Sequence, residues 1–445
     1  MARIAFIHPD LGIGGAERLV VDAAIGLQNQ GNQITIYTSH CDLSHCFDEI
    51  SSGQLKVKVF GDFLPTNILK KFHILCAIIR QLYLVIKLII TGEISQFDFF
   101  IVDQLSFCIP LLQLFNSYHS RVLFYCHFPD QLLTKRNSTI KSIYRIPFDY
   151  IEEYSTGCAD KIVVNSNFTK SIFHETFKLK IDPGVVYPCV DLKKQENTED
   201  ISEFFKNSKF YLSINRFERS KNIELAIKAF AKARKLITGP KARLVIAGGF
   251  DSRVIENVEY LSELTSLCDE LKLTNFTIRG KLIVMPPSTD VLFLPSISNS
   301  LKISLIKNCE LLLYTPTREH FGIVPLEATL YNKVVVGINH GGPLETIVNY
   351  DGENIDEATG FLASNDSEIW SKIILKYSNE IKLEVKEQLG KNCHNRVVDN
   401  FSRDAMTKRL IDNLEEASIK SKTKVSLNIL FITVAFLAFA LYKFI

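Results

Sequence analysis

Two carboxylates in the chain are spaced so that both could hold hydroxyl groups of one ligand. Glu319 and Glu327 lie within the string EHFGIVPLEA, directly after an apolar run that predicts a strand. Pro325 fits the first turn of a helix, and Glu327 is then expected near the positive end of that helix. Such carboxylates can accept hydrogen bonds from sugar and ribose hydroxyls, whereas a glutamate pair at this spacing alone would mean little. The backbone amides expected between them belong to Phe321, Gly322 and Ile323.

A pair of cations stands in a comparable position earlier in the chain. Arg216 and Lys221 follow a predicted strand at 210–214 and precede a predicted helix at 223–236. Arginine offers planar, forked donors and lysine a compact point charge, so the two together can clamp a diphosphate. The alternative is a polar loop that only contacts solvent.

A histidine marks the end of another predicted strand. His127 directly follows the apolar run 122–126 and precedes a Phe-Pro pair. Ligand sites in open α/β sheets gather at the carboxyl ends of strands, which would place His127 at such a site. A lone histidine is also common as a structural residue, and the sequence leaves both interpretations open.

The turn after the first predicted strand is rich in glycine. Gly12, Gly14 and Gly15 stand between this strand and a predicted helix from about residue 16 to 30. Glycine permits close backbone approach, and the start of a helix offers free N–H groups to an anion. The spacing is not that of the dinucleotide-binding fingerprint, and the alternative is that these glycines serve only the geometry of the turn.

The elements that must position these residues alternate regularly between strands and helices. This pattern predicts an α/β protein with doubly wound, Rossmann-like domains and mainly parallel sheets. A chain of 445 residues exceeds one hydrophobic core. We expect a first domain at 1–190, a polar linker at 191–208 and a second domain at 209–417. Two such domains would face a cleft in which ligands bind.

Composition excludes several other classes of function. The 51 basic and 49 acidic residues leave a net charge of +2, which gives no electrostatic reason to expect a nucleic-acid partner. The ten cysteines form no C-x-x-C pair, so neither a zinc ribbon nor a redox motif is predicted. We expect the catalytic domains to face a reducing compartment.

The last part of the chain carries a candidate membrane anchor. Residues 425–442 form an uncharged run of 18 residues, about the minimum length of a spanning helix. Lysines at 420, 422 and 424 precede it, and the positive-inside tendency then places the bulk of the chain in the cytosol. The alternative is a buried terminal helix.

A second apolar segment, 68–90, is predicted to associate with the membrane surface. Its cations have no acidic partner within the segment, and His73, Arg80 and Lys87 recur every seven residues on one helical face. A helix with a basic stripe and a broad apolar face suits the bilayer interface. The alternative is a core helix with a solvated stripe. The side chains expected to enter the lipid are Ile74, Ile78 and Leu82.

Four strings in order carry a family resemblance. They are HPDLGIGGAERLVVDAA, YCHFPDQLLT, NRFERSKNIELAIKAF and LLYTPTREHFGIVPLEA, and they extend from His8 to about Arg409 together with their surroundings. The chain resembles the retaining glycosyltransferases of family 4, which have the GT-B fold. Within that family it is most similar to the mannosyltransferases of the dolichol pathway that add an α1,3 and then an α1,6 mannose.

The resemblance implies a donor and its binding residues. The donor would be GDP-mannose, held mainly by the second domain. Arg216 and Lys221 match the diphosphate clamp of the family, Glu319 matches the carboxylate on the donor sugar, and Glu327 matches the one near the ribose. Ser220 departs from the family, which often has a second basic residue before the lysine.

In the first domain the resemblance assigns fewer residues. Gly14 and Gly15 match the loop that approaches the donor phosphates, and His127 matches an active-site histidine near the transferred sugar. The acceptor would be a mannosyl-chitobiose on dolichyl diphosphate at the endoplasmic reticulum membrane, with the catalytic domains facing the cytosol. Other mannosyltransferases of the same pathway are possible partners.

Mechanism and cofactors follow less directly. No nucleophile is evident, which favours same-face attack in which the leaving diphosphate assists deprotonation and the cations stabilise its charge. The chain has no Asp-x-Asp motif, and we expect neither a metal nor another cofactor at the donor site. The alternatives are another membrane-bound family 4 transferase with a different lipid acceptor, and a catalytically dead scaffold that still binds nucleotide sugar.

Overall fold

The computed structural model describes residues 1–68, 72–134, 136, 139–192, 198–282 and 284–426. They form two compact units, of which one contains Met1–Cys189 together with the described residues from Arg403 on. The other contains Val190–Ser402. The predicted transmembrane segment 425–442 lies outside the described residues, except for its first two positions.

The first unit is built on a parallel sheet in the order β3-β2-β1-β4-β5-β6-β7. Alternate side chains of β1 serve opposite faces, because Ile4 and Phe6 join one apolar core while Ala5 and Ile7 join the other. Burial on both faces explains why the strands read as continuous apolar runs. The strands are β1 (Arg3–His8), β2 (Gln33–Thr38), β3 (Val57–Val59), β4 (Phe99–Asp103), β5 (Arg121–Cys126), β6 (Lys161–Val164) and β7 (Gly184–Val185).

Helices cover both faces of this sheet. They are α1 (Gly15–Asn29), α2 (Asp48–Ser51), α3 (His73–Ile90), α4 (Ile109–Phe115), α5 (Asp130–Leu133), α6 (Thr139–Gly157) and α7 (Asn167–Thr176). The order of strands reverses between β1 and β4, so the loops after these two strands open at a topological switch point.

Helix α3 does not present the face that the sequence analysis assigned to lipid. Arg80 is buried and donates a hydrogen bond of 3.0 Å to the carbonyl oxygen of Ser39, while Ile78 is fully buried beside Phe148 and Ile151 of α6. The predicted stripe of His73, Arg80 and Lys87 is therefore not exposed along its whole length, because α3 packs against the sheet and α6 and Arg80 is buried. Among the described residues, α3 is the one helix long and apolar enough to cross a membrane. Membrane association of 68–90 stays a prediction.

The second unit has its own parallel sheet in the order β10-β11-β9-β8-β12-β13-β14. Its order reverses between β8 and β12, which places a second switch point there. Strands β10 and β14 were not predicted from the sequence. The strands are β8 (Ser208–Ile214), β9 (Lys241–Gly248), β10 (Asn275–Thr277), β11 (Val291–Pro295), β12 (Leu312–Tyr314), β13 (Val335–Ile338) and β14 (Gly360–Ala363).

The helices of this unit again lie on both faces of the sheet. They are α8 (Ile223–Ala233), α9 (Ile255–Glu270), α10 (Asn299–Asn308), α11 (Ile323–Leu330), α12 (Pro343–Thr346), α13 (Ser367–Leu375) and α14 (Leu383–Phe401). Ile201 and Phe205 are buried in the core of this unit, so part of the predicted linker 191–208 belongs to the domain itself. The predicted architecture of two mainly parallel α/β domains is confirmed.

The predicted end of the second domain at residue 417 differs from the structure. Helix α15 (Arg403–Ile419) belongs to the first unit, where Met406 and Leu410 join the core beside α1. Arg403 donates a hydrogen bond of 2.8 Å to the buried carboxylate of Asp22. The chain thus returns to its first unit, a long-range pairing that no local sequence pattern announces.

Candidate active site

The predicted donor residues of the second unit gather at its switch point. The loop after β8 contains Arg216 and Lys221, and the loop after β12 contains Glu319. These two strands are neighbours in the sheet, and parallel strands end at the same edge. The topology therefore brings together loops that are about a hundred residues apart in sequence.

Lys221 and Glu319 form the central ion pair of this edge. The ammonium nitrogen Nζ of Lys221 lies 2.9 Å from Oε2 of Glu319, and the two side chains are 20% and 22% exposed. The hydroxyl of Thr315 donates a hydrogen bond of 2.7 Å to the carbonyl oxygen of Lys221. The amide of Asn222 in turn donates to the carbonyl oxygen of Thr315 at 3.3 Å. The two loops are thus fixed to each other at backbone and side chain.

Tyr314, the last residue of β12, interacts with the carboxylate of Glu319 through its hydroxyl. Its ring is buried, and its hydroxyl donates a hydrogen bond to Glu319. Burial raises the pKa of this phenol well above its usual value, and the negative charge of Glu319 raises it further. Tyr314 therefore stays protonated and acts as a fixed donor. Tyr314 was not among the residues predicted to act at this site.

Glu327 has a cation of its own, which sequence analysis also missed. Nζ of Lys302 on α10 lies 2.6 Å from Oε1 of Glu327. Glu327 is the fifth residue of α11, beyond its first turn, so the predicted placement near the positive helix end is not observed. The partner that holds this carboxylate is the lysine of a neighbouring helix.

Arg216 is the most open member of the predicted donor site. Its side chain is 67% exposed, and its guanidinium lies 2.9 Å from Oε1 of Glu218 rather than at Glu319. Gly249 follows β9 beside it, and a Cβ at that position would lie 3.2 Å from Cγ of Arg216. The structure therefore places Arg216 and Lys221 in one loop but gives them different acidic partners.

The segment from Phe321 to Ile323 forms the entry to α11. Gly322 precedes the helix with a φ of +85°, and a Cβ there would lie 3.1 Å from the hydroxyl oxygen of Tyr314. The N–H of Gly342 donates a hydrogen bond of 2.9 Å to the carbonyl oxygen of Glu319. A Cβ on Gly342 would lie 2.2 Å from the carbonyl oxygen of Phe321, so only glycine fits against this loop.

A cavity of about 460 Å³ lies at the same sheet edge, near the ends of β9 and β11. Its wall includes the ring of Phe250, over which the guanidinium carbon of Arg279 lies 5.2 Å from the centroid. Asp251 on the same wall is held by Arg253, whose hydrogen bonds lower the pKa of this carboxyl to about 2. The cavity thus combines a flat apolar surface with an ionised carboxylate.

The first unit has a separate polar cluster at its own switch point. Nδ1 of His8, the last residue of β1, lies 2.8 Å from Oδ2 of Asp103, the last residue of β4. The other carboxylate oxygen of Asp103 lies 2.7 Å from Nε2 of His127, which follows β5. His8 and Asp103 are almost fully buried, whereas His127 is 23% exposed. The structure thus places His127 at the open end of a chain of three residues.

The protonation of this cluster is shifted by its own charges. Burial alone would lower the pKa of His8, but hydrogen bonds and charges of Asp103 and Glu17 raise it to about 9. Burial would raise the pKa of Asp103, but His127 and His8 lower it. A protonated His8 beside an ionised Asp103 is therefore the favoured state. Asp103 holds His127 at Nε2, so Nδ1 is the nitrogen that can turn toward a ligand.

The glycine turn of the first unit lies at the start of α1. Gly14 precedes the helix and Gly15 is its first residue. A Cβ on Gly15 would meet no atom within 4 Å, so internal packing does not require glycine there. A Cβ on Gly14 would lie 2.2 Å from Oε2 of Glu17, whose other carboxylate oxygen lies 3.9 Å from Nε2 of His8. Glu17 is thus a carboxylate close to the site expected for an anion.

Six residues of these clusters were not predicted to act at the site. Lys302 and Gly342 contact Glu327 and Glu319 from other elements of the fold, whereas Tyr314 and Glu17 are close in sequence to Glu319 and Gly14. Two of them had a visible signal, since His8 and Asp103 end apolar strands as His127 does. The set comprises His8, Glu17, Asp103, Lys302, Tyr314 and Gly342.

No group of three His, Cys, Asp or Glu side chains in the described ranges is arranged to hold a metal ion. The expectation that the donor site needs no metal stays a prediction.

The two units match two described families of glycosyltransferases. Residues 13–194 match Glycosyltransferase Family 4, and residues 194–396 match Glycosyl transferases group 1. The fold is similar to that of a glycosyltransferase from Rickettsia africae, with a TM-score of 0.67 at 16% identity, over 94% of this chain and 98% of that one. A sucrose-phosphate synthase from Thermosynechococcus elongatus also gives 0.67, at 17% identity over 93% and 98%. The fold and the family matches together define a glycosyltransferase with the GT-B fold.

Relatives of high identity define the family more closely. The alpha-1,3/1,6-mannosyltransferase ALG2 of Candida albicans is 63% identical, over 93% of this chain and 98% of its own. The proteins of the same name from Saccharomyces cerevisiae and Schizosaccharomyces pombe are 53% and 45% identical, over 94% and 92% of this chain and 86% and 79% of theirs. The chain belongs to the Alg2 family of alpha-1,3/1,6-mannosyltransferases, as its motifs predicted.

Proposed function

We propose that this chain transfers mannose from GDP-mannose to a mannosyl-chitobiose on dolichyl diphosphate, first in an α1,3 and then in an α1,6 linkage. The relatives named above are alpha-1,3/1,6-mannosyltransferases, which supports both linkages. The single observation that carries the proposal is the ion pair of Lys221 and Glu319 at the switch point of the second sheet.

This ion pair provides the two chemical functions that a sugar-diphosphate donor needs. The ammonium group of Lys221 can stabilise the negative charge that develops on the leaving diphosphate, with the open Arg216 as its second cation. The carboxylate of Glu319 can accept hydrogen bonds from hydroxyls of the transferred mannose. Glu327, held by Lys302, can accept hydrogen bonds from the ribose, and the backbone N–H groups at the start of α11 are further donors.

The cavity near the ends of β9 and β11 supports a guanine nucleotide. The ring of Phe250 offers a flat surface for a base, and Asp251 is ionised. Guanine carries two neighbouring N–H donors, N1–H and the N2 amino group, that a carboxylate can accept as a pair. We assign the guanine to this cavity.

The first unit supplies His127 and the glycine turn to the proposed reaction. His127 would hydrogen-bond a hydroxyl of the transferred sugar through Nδ1, because its Nε2 is held by Asp103. Gly14 and Gly15 would let the donor phosphates approach the free N–H groups of α1. Attack from the face that the diphosphate leaves retains the configuration of the sugar, and the diphosphate oxygen takes the proton of the acceptor hydroxyl.

The proposed setting is the endoplasmic reticulum membrane, with the catalytic domains in the cytosol and other mannosyltransferases of the pathway as possible partners. Its test is a donor screen with the purified full-length chain and a lipid-linked acceptor. We expect transfer from GDP-mannose, absence of transfer from UDP-N-acetylglucosamine, and rates that survive chelation of divalent ions. Transfer from another donor alone would identify a different family 4 transferase. Donor binding without transfer would identify a dead scaffold.

A further inference from the structure

Helix α6 of the first unit is apolar on two opposite faces. One face carries Phe148 and Ile151, which are buried against α3. The other carries Ile143, Ile146 and Tyr150, whose relative positions of three and seven residues place them on one side of the helix. These three side chains are 63%, 61% and 60% exposed. We call this set the α6 stripe.

An apolar solvent-facing stripe is unexpected for a surface helix of a soluble domain. The exposed side of such a helix normally carries charged and polar residues. Contiguous exposed apolar surface marks a site that another surface covers. The neighbouring helix α5 adds Leu132 and Leu133, which are 50% and 61% exposed. Helix α5 is held to α6 by the guanidinium of Arg145, 2.7 Å from Asp130. The exposed apolar side chains of α5 and α6 therefore belong to two helices that an ion pair holds together.

The path of the chain indicates what covers the stripe. The final described segment contacts the first unit, where the N–H of Thr423 donates a hydrogen bond of 2.8 Å to Asp160. At Ser426 the backbone forms two hydrogen bonds with the hydroxyl of Tyr154, at 3.0 and 3.1 Å. Tyr154 lies four positions after Tyr150, and therefore on the same side of α6 as the stripe.

Val425 and Ser426 are the first two residues of the uncharged run 425–442, which consists mostly of apolar residues. Its 18 residues are about the minimum length of a spanning helix, and Ser426 contacts Tyr154 beside the stripe. A chain that enters a bilayer beside Tyr154 brings the α6 stripe to the lipid surface. We propose that the α6 stripe is a membrane-docking surface, with its apolar side chains at the boundary between lipid headgroups and acyl chains.

The role of this docking surface rests on the proposed function, because the proposed acceptor is attached to a lipid. An acceptor sugar attached to a lipid stays close to the bilayer, so a transferase that uses it gains from a fixed orientation. A single terminal anchor limits distance but leaves rotation free. A second apolar contact, on α6, would fix the rotation of the first unit at the bilayer. The strength of such an interfacial contact scales with the apolar area that it buries.

Tryptophan fluorescence in nanodiscs tests the contact directly. The chain contains one tryptophan, Trp370, which is fully buried in the second unit and gives a constant background. The full-length Ile146→Trp variant is placed in phosphatidylcholine nanodiscs with or without brominated acyl chains. Ile255→Trp is the matched control, because Ile255 is 72% exposed on α9 of the second unit.

We expect brominated lipid to quench the emission of Ile146→Trp several-fold more than that of Ile255→Trp. Equal quenching in both variants would overturn the proposal. Emission from Ile146→Trp that is blue-shifted but not quenched would also overturn it, because the stripe would then be covered by protein, either the end of this chain or a second copy.

An activity measurement separates this inference from the proposed function. The variant with serine at 143, 146 and 150 should transfer mannose to a long-chain lipid acceptor in vesicles on the order of tenfold more slowly. Its rate on a short-chain, water-soluble acceptor should equal that of the wild type, which also shows that it folds. The control variant carries Ile255→Ser and Val258→Ser. Equal rates on both acceptors would refute the docking role while leaving the transfer activity intact. Absence of transfer by the wild type would refute the proposed function, and the quenching experiment would still decide the docking surface.

Discussion

Lys221 and Glu319 are 98 positions apart in the chain, yet Nζ of the lysine lies 2.9 Å from a carboxylate oxygen of the glutamate. Both side chains are mostly shielded from solvent, so each charge depends on the other for compensation. A diphosphate that binds Lys221 must share it with Glu319 or displace that carboxylate toward the sugar. The ion pair therefore couples binding of the phosphates to placement of the carboxylate that holds the mannose.

Removal of either clamp cation should slow transfer strongly. We expect Lys221→Ala and Arg216→Ala to lower kcat/KM by about 100-fold or more, because the charge on the leaving diphosphate loses a donor that acts in the transition state. Lys232→Ala is the control, since Lys232 forms an ion pair of 2.8 Å with Glu368 on the surface of the same unit. Initial rates with GDP-mannose measure the effect. Near-normal rates in both clamp variants, with folding intact, would refute the assignment.

The pair of Lys302 and Glu327 should act on donor affinity more than on turnover. Glu327→Gln removes an acceptor for the ribose hydroxyls, and Lys302→Ala releases the carboxylate from its partner at 2.6 Å. Both variants should raise the KM for GDP-mannose about tenfold with kcat nearly unchanged, as expected when uniform binding is lost. Lys307→Ala, on the same helix, is the control for Lys302. If Lys302→Ala leaves KM unchanged while Glu327→Gln raises it, the lysine has no positioning role.

Tyr314 should matter for turnover although it lies beneath the site. Tyr314→Phe removes the hydrogen bond to Glu319, and a hydrogen bond to a charged group contributes about 1.5–3 kcal/mol. If this bond orients Glu319 in the transition state, kcat should fall about 10-fold to 100-fold. Tyr211→Phe is the control, because it also removes the hydroxyl of a buried tyrosine, bonded to Ser378. A Tyr314→Phe enzyme with the kcat of that control would exclude an orienting role.

The stability of the first unit should depend on pH through His8. Its pKa is about 9 in the folded unit, against about 6.5 in an unfolded chain. A raised folded-state pKa stabilises the unit fully below pH about 6.5, and the stabilisation is lost as the pH rises through about 9. Asp103→Asn should remove most of this loss. Asp182→Asn, which removes the carboxylate beside the exposed His174, should leave the loss of stability at high pH unchanged.

Hydrogen exchange in peptides from β1 and β4 measures this loss of stability in the first unit. Tryptophan fluorescence would not report on it, because the single tryptophan belongs to the other unit. Wild type and Asp182→Asn should exchange faster with rising pH, after correction for the intrinsic rate, than Asp103→Asn does. Identical pH dependence in all three proteins would contradict the shifted pKa of His8.

Much of the framework could be predicted from sequence, because the features involved are local. Apolar runs marked most strands, and the loops that follow them contain Lys221, Glu319 and His127. Within one parallel sheet the strand ends share an edge, so Lys221 and Glu319 lie together in the second unit, while His127 lies with the strand ends of the first unit. The glutamate motif was specific because it combined a strand end, a glycine and a helix start.

The remaining features depend on contacts between distant segments. Lys302 has ordinary sequence surroundings, and only the packing of α10 beside α11 gives it a role. Arg80 was expected in a basic stripe at the membrane surface but is buried, because helical spacing reports which residues share a face and not what packs against it. Helix α15 returns to the first unit through Arg403 and Asp22, which are 381 positions apart. Periodicity carries no information at that range.

The most direct test of the central claim is the initial rate of mannose transfer from GDP-mannose to a synthetic lipid-linked mannosyl-chitobiose. The full-length wild type and its Glu319→Gln variant are compared, with the mass and linkage of each product determined. We expect α1,3- and α1,6-linked products from the wild type and a kcat lower by about 100-fold in the variant. Equal kcat values, or wild-type products without mannose, would contradict it.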